Sequence, residues 1–133
     1  MDTACLIQQY LEWANNIIPA DSWGLQILSE STEQVQCEVP SLFSQPGCVC
    51  MVDNETWGSK SKIRYYKSIP EMLEDISGSA YYSVTLFAGT EKIIGSVFWI
   101  RDLKHGSFNT QECMRAWQFS RILSDNLKKI LIQ

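Results

Sequence analysis

An α+β domain is what the sequence predicts: an antiparallel sheet of about five to six strands, with the N- and C-terminal helices packed on one face. Apolar residues recur at helical spacing at both ends of the chain, and with period-two alternation in several runs between them. Near the C-terminal third, two β-rich runs flank a four-residue connection of the kind that closes a hairpin. At 133 residues, of which 45% are apolar and 20% charged, the chain can bury one core and not two. Residues 1–133 are therefore read as a single domain.

The first helix spans residues 3–18, with Leu6, Ile7, Tyr10, Leu11, Trp13, Ala14, Ile17 and Ile18 on one face and Gln8, Gln9, Glu12, Asn15 and Asn16 opposite. Asp2 caps it, and Pro19 ends it by withholding an amide hydrogen. Trp23, Leu25 and Ile27 alternate along a strand over 22–29, and Val35, Cys37 and Val39 along a second, joined as a hairpin through the polar stretch Glu30 to Glu33. After Gln45-Pro46-Gly47, the apolar run 48–52 reads as a buried strand, 53–61 as a polar loop and 63–67 as a further strand. Residues 70–76 form a short helix with Ser68 as its cap and Pro70 in its first turn. Tyr81 to Phe87 and Lys92 to Ile100 are the paired runs. Asn109 and Glu112 have capping-box spacing before the last helix, whose apolar face holds Cys113, Ala116, Trp117, Phe119, Leu123, Leu127, Ile130 and Leu131.

Charge and motifs exclude more than they assign. The net charge of −4 disfavours duplex DNA as a direct partner, because such surfaces gather Lys and Arg against phosphates. Lys60, Lys62, Arg64 and Lys67 read as a solvated strand or loop edge. No run approaches the ~18 apolar residues of a membrane span, and no signal peptide opens the chain, so a cytoplasmic location is expected. Five cysteines without framework spacing predict free thiols. Cys48 and Cys50 share one side of an extended segment, yet Cys37 and the single histidine, His105, complete no metal-ligand pattern, so neither metal nor cofactor is expected. Nothing marks His105 and a cysteine as an activated pair, Asp53, Asn54 and Glu55 lack calcium-loop spacing, and Glu74 and Asp75 point apart on their helix. An enzyme is not expected.

The stretch Pro19-Ala20-Asp21-Ser22-Trp23-Gly24-Leu25 after a helix, the strand Tyr82 to Phe87, the following Glu91-Lys92-Ile93-Ile94-Gly95-Ser96-Val97 and the helix opening at Phe108 to Glu112 resemble the GAF family. The resemblance extends over most of the chain and departs from the family between Gly47 and Ile69, where no cofactor motif stands. It implies a GAF/PAS-like fold and a small-molecule sensory domain, often dimeric and often joined to an output module such as a transcription regulator.

Aromatic side chains mixed with hydroxyls are how small-molecule pockets are built, which makes Trp57, Tyr65, Tyr81, Ser83 and Thr85 candidate ligand-binding residues. Ser96 and Phe98 join them, because Gly95 suits the strand face on which a helix packs closely. By the same alternation, one of the sets Tyr81, Ser83, Thr85 and Tyr82, Val84, Leu86 faces away from the terminal helices, and the first is expected there because its hydroxyls can orient a ligand. The last helix reaches Gln133 without a stop signal, which predicts continuation toward an output domain. Its Phe119, Ile122 and Ile130 are the expected homodimer contacts. A protein-binding module is the alternative: small size, acidity and element order are also similar to type III secretion chaperones and toxin-neutralising immunity proteins, whose acidic surfaces steer basic partners.

Overall fold

The computed structural model describes residues 10, 14, 16–28, 49–53, 62–88 and 92–131. Tyr10, Ala14, Asn16 and Ile17 are helical. Five strands follow: β1 (Ser22–Ile27), β2 (Val49–Asp53), β3 (Lys62–Tyr66), β4 (Ser79–Ala88) and β5 (Lys92–Asp102). The helix α1 (Ile69–Asp75) lies between β3 and β4, and after a 3-10 turn at Leu103–His105 comes α2 (Thr110–Leu131). All neighbours are antiparallel, in the order β3-β2-β1-β5-β4, so among the described residues β3 and β4 are the edges. Trp57, the run 35–39 and its expected hairpin lie outside the described residues.

Alternation along β1 explains why both faces of the sheet are used. Trp23 and Leu25 join one buried cluster with Cys50, Val52, Val97, Trp99 and Leu86, to which Tyr10, Ala14 and Ile18 contribute from the N-terminal side and Ala116 and Leu123 from α2. Two buried polar groups are satisfied within it: Trp99 Nε1 donates to the Ala14 carbonyl at 2.9 Å, and the Tyr10 hydroxyl to that of Gly24 at 2.7 Å. A second cluster, Val49, Met51, Phe98 and Ile100, lies on the other face, where α1 covers it with Met72. Gly24 stands between strands on that face. A Cβ there would fall 1.9 Å from the Cys50 carbonyl oxygen and 2.6 Å from the Phe98 ring, so only glycine fits.

The helix starts form as their sequences dictate. Ser68 accepts from the Glu71 amide at 3.3 Å, with proline in the first turn of α1. Asn109 Oδ1 accepts from the Glu112 amide at 2.8 Å and Glu112 Oε1 from the Asn109 amide at 3.0 Å, a complete capping box. Glu112 does more than cap. Its carboxylate receives Arg101 of β5 in a bidentate pair, and the same guanidinium donates to the Pro19 carbonyl at 2.9 Å and lies 4.5 Å from the centre of the Phe108 ring. Arg101 thereby ties the N-terminal turn, the central sheet and the start of α2 together. That hydrogen bonding holds the Glu112 carboxyl below its ordinary range, against the opposing effect of burial.

Three readings from the sequence are corrected here. Asp53 is the last residue of β2 and is buried, not part of a polar loop. Its carboxylate holds Ser22 Oγ at 2.8 Å and Arg64 Nη2 at 2.9 Å, so Arg64 is anchored and is not a freely solvated edge charge. Trp117 is turned outward and 52% exposed, although it was expected on the packed face of α2. Ala116 and Leu123, expected there too, do pack on that face.

Candidate functional site

A groove of about 560 Å³ runs between the edge strand β4 and α2. Tyr82, Ser83, Val84, Thr85 and Phe87 border it from the strand, and Trp117, Ser120, Arg121, Ser124 and Asp125 from the helix. The helix packs on the face of β4 that carries Tyr82 and Val84, so the groove opens on that face, and Ser83 and Thr85, whose side chains point the other way, border it at the edge of the strand. The helix wall is amphipathic: the Arg121 guanidinium sits 5.0 Å from the centre of the Trp117 ring, a cation–π contact at the mouth of the groove. Ser120 turns its hydroxyl back to the Ala116 carbonyl at 2.7 Å. Beside the groove, burial and the neighbouring Cys113 thiol push the Tyr82 phenol up from its ordinary value.

Main-chain geometry defines the edge itself. Leu28 donates to the Ile94 carbonyl at 2.9 Å, one step beyond the Ile27–Gly95 pairing of β1 with β5. Hydrogen-bonded and non-bonded pairs alternate along an antiparallel ladder. Ser96, Phe98 and Ile100 therefore direct their backbone groups to β1, and Val97, Trp99 and Arg101 direct theirs to β4, opposite Val84, Tyr82 and Ala80. By that alternation, the N–H and C=O groups of Tyr81, Ser83 and Thr85 point away from the sheet. The strand carrying them has the sequence SAYYSVTLFA, ten residues without a charge or a proline.

The residues predicted from the sequence are brought together in part. Tyr82 and Val84 pack against the cluster shared with α2, which leaves Tyr81, Ser83 and Thr85 facing the other way. Ser83 and Thr85 border the groove. Tyr81 packs on Phe98 with ring centres 5.9 Å apart, and both belong to the cluster under α1, so they form a wall of the core and not of the groove. Ser96 stands opposite Thr85 and is half-buried. Tyr65 lies on β3 at the far edge of the sheet, opposite Cys50, and is not near the others. Of the expected dimer contacts, Phe119 stacks on Tyr10 at 5.6 Å inside the chain's own core, whereas Ile122 is exposed. The side chain of Ile130 lies outside the described residues.

A second polar cluster lies at the opposite edge, where Asp53, Arg64, Asp75 and Tyr66 meet. Arg64 Nε is 2.7 Å from Asp53 Oδ2, and Tyr66 donates to Asp75 at 2.8 Å. Burial, then the bond to Asp75, pushes the Tyr66 phenol up to about 12. Each carboxylate here is engaged by a donor, so the cluster reads as a fastening between β2, β3 and α1. His105 Nδ1 lies 3.5 Å from Asp21, whose carboxylate also accepts from the Asp102 amide. Among the described residues no group of three His, Cys, Asp or Glu side chains is placed to hold a metal, and Cys50 and Cys113 are not joined in disulfides. No helix among them is long and apolar enough to cross a membrane.

Sequence reasoning missed Trp117 and Arg121 as site residues. Their signal was a tryptophan and an arginine one turn apart at the border of an apolar stripe, a place where solvent exposure cannot be told from packing. Comparison with protein-family models, with curated proteins and with solved structures finds no match to this chain.

Proposed function

We propose that the chain is a non-catalytic, GAF-like sensory domain that binds a small organic molecule in the β4–α2 groove and signals through α2 to an output partner, such as a transcription regulator, in the cytoplasm. The observation that carries this reading is the groove's construction: its volume of about 560 Å³ falls within the ~300–1,000 Å³ of small-molecule pockets. One of its walls is the terminal helix itself. A ligand touching Trp117 and Arg121 would act directly on the element expected to lead toward an output module, with no relay through the core. The mixture of an indole, hydroxyls and a guanidinium suits a ligand with a flat apolar body and an acceptor group. Support for the GAF-like architecture comes from the antiparallel order β3-β2-β1-β5-β4 and from the cluster in which Tyr10, Ala14 and Ile18 meet Ala116 and Leu123. Ser83 and Thr85 remain ligand-binding residues in this proposal, and Tyr81 and Phe98 support them from behind.

Native mass spectrometry of the protein as purified tests the reading. A retained small molecule, lost in a folded Trp117→Ala variant, is the expected result. A ligand-free chain that co-purifies with a basic protein would instead favour the partner-binding class of chaperones and immunity proteins.

A further inference from the structure

The edge of β4 is built in a way that asks for a partner strand. Sheet edges in isolated domains are blunted by charge, proline, bulges or brevity, since a row of unpaired amides and carbonyls templates pairing with another chain. β4 has ten residues, no charge and no proline, and its one register irregularity falls at Leu86–Phe87, past the outward groups of Tyr81, Ser83 and Thr85. Phe87 beside that row is 45% exposed. Among the described residues nothing pairs with this edge.

We propose that β4 pairs antiparallel with β4 of a second copy, about a twofold axis passing through Ser83. That register sets Tyr81 against the partner's Thr85 and Ser83 against the partner's Ser83. Every outward N–H and C=O of the three residues then finds a complement within the same sequence, as an isologous interface requires. The helices agree with the strands. A twofold axis through the strand pair makes α2 antiparallel to its mate, and the order Arg121 then Asp125, one turn apart on the groove wall, is a charge order that complements itself. The interface is distinct from one built on Phe119, which is committed to Tyr10. In the pair, the solvent-open side of each groove faces the other copy, so the proposed ligand site would be closed by both protomers; this corollary alone rests on the ligand-binding reading.

Sedimentation of the full chain, without added ligand, tests the pairing. The expected result is a dimer at micromolar concentration that Ser83→Pro converts to a monomer. Proline removes an outward N–H and spares the ladder to β5, a substitution that edge strands accept. If Ser83→Pro does not fold, Thr85→Lys decides, since it places on β4 the kind of charge that blunts an edge, and it too is expected to be monomeric. A wild-type monomer at every concentration overturns the proposal. So does a dimer that persists in whichever of these variants folds. Ligand retention plays no part in that outcome, so failure of the pairing and failure of the ligand reading are separately visible.

Discussion

The two edges of the sheet are finished differently. β3 is short, five residues with the sequence KIRYY, and its arginine is fastened to the molecule: Arg64 reaches back to buried Asp53 and toward Asp75, and Tyr66 donates to Asp75. β4 is twice as long and uncharged, and among the described residues it has α2 and an open groove beside it. The first edge is closed by side chains drawn from its own neighbourhood, as in strands that must not pair further. The second has no strand paired to its outward main chain among the described residues and positions an indole and a guanidinium next to it. The contrast teaches where this fold invests its polar groups, fixing one edge and keeping the other for recognition.

Removing the anchor of α2 should disturb the β4 side most. Glu112→Ala leaves Arg101 buried without its carboxylate, and loss of one member of a buried pair costs about 3–5 kcal/mol. Denaturant unfolding should show that loss, with α2 releasing before the sheet in site-resolved probes. The same pair makes stability depend on acid. The folded pKa of Glu112 is depressed, so its contribution is whole above the ordinary value of 4.5 and fades as pH falls through that value toward the lower folded one. Unfolding curves below pH 4.5 should therefore be less sensitive to Glu112→Ala than those at neutral pH. An equal difference at both would contradict the assignment.

At the β3 edge the effects should be smaller. Asp53→Ala strands Arg64 and the Ser22 hydroxyl, but the Arg64 side chain is 33% exposed and water can replace part of the loss. About 2 kcal/mol is expected, between the values for surface and buried pairs. Loss of that size without monomer–dimer change would mark the β3 edge as purely structural. Smaller still, Tyr66→Phe gives up one hydrogen bond to Asp75, worth about 0.5–1.5 kcal/mol. Because the folded phenol is pushed up from 10.0 to about 12, the contribution is whole below pH 10 and fades as pH rises toward 12. Tyr66→Phe should abolish that alkaline dependence.

What the sequence made legible divides along the same lines. Contacts between near neighbours were readable: Asn109 with Glu112, Ser68 with Glu71, and the β4–β5 hairpin all follow from short-range spacing. Contacts set by sheet order were not. Asp53 looked like loop because its partner Arg64, which stands opposite Met51, is brought within reach only by the β2–β3 pairing, and Arg101 showed no sign of Glu112 because β5 and α2 meet through tertiary packing. Alternation along β4 divided Tyr82 and Val84 from Ser83 and Thr85, and the structure packs the first pair against the core while all four border the groove. Alternation could not reveal that β4 is an edge, which depends on where four other strands lie. Tyr65 was grouped with them on composition, and strand order sends it to the far side.

Site-resolved amide exchange in the unmodified protein tests most directly the claim that the β4 edge is the recognition surface. The prediction is that Tyr81, Ser83 and Thr85 exchange fast in dilute solution and become protected as concentration rises, whereas Tyr82 and Val84, bonded to β5, are protected throughout. Exchange at Tyr81, Ser83 and Thr85 that stays fast at every concentration would contradict it.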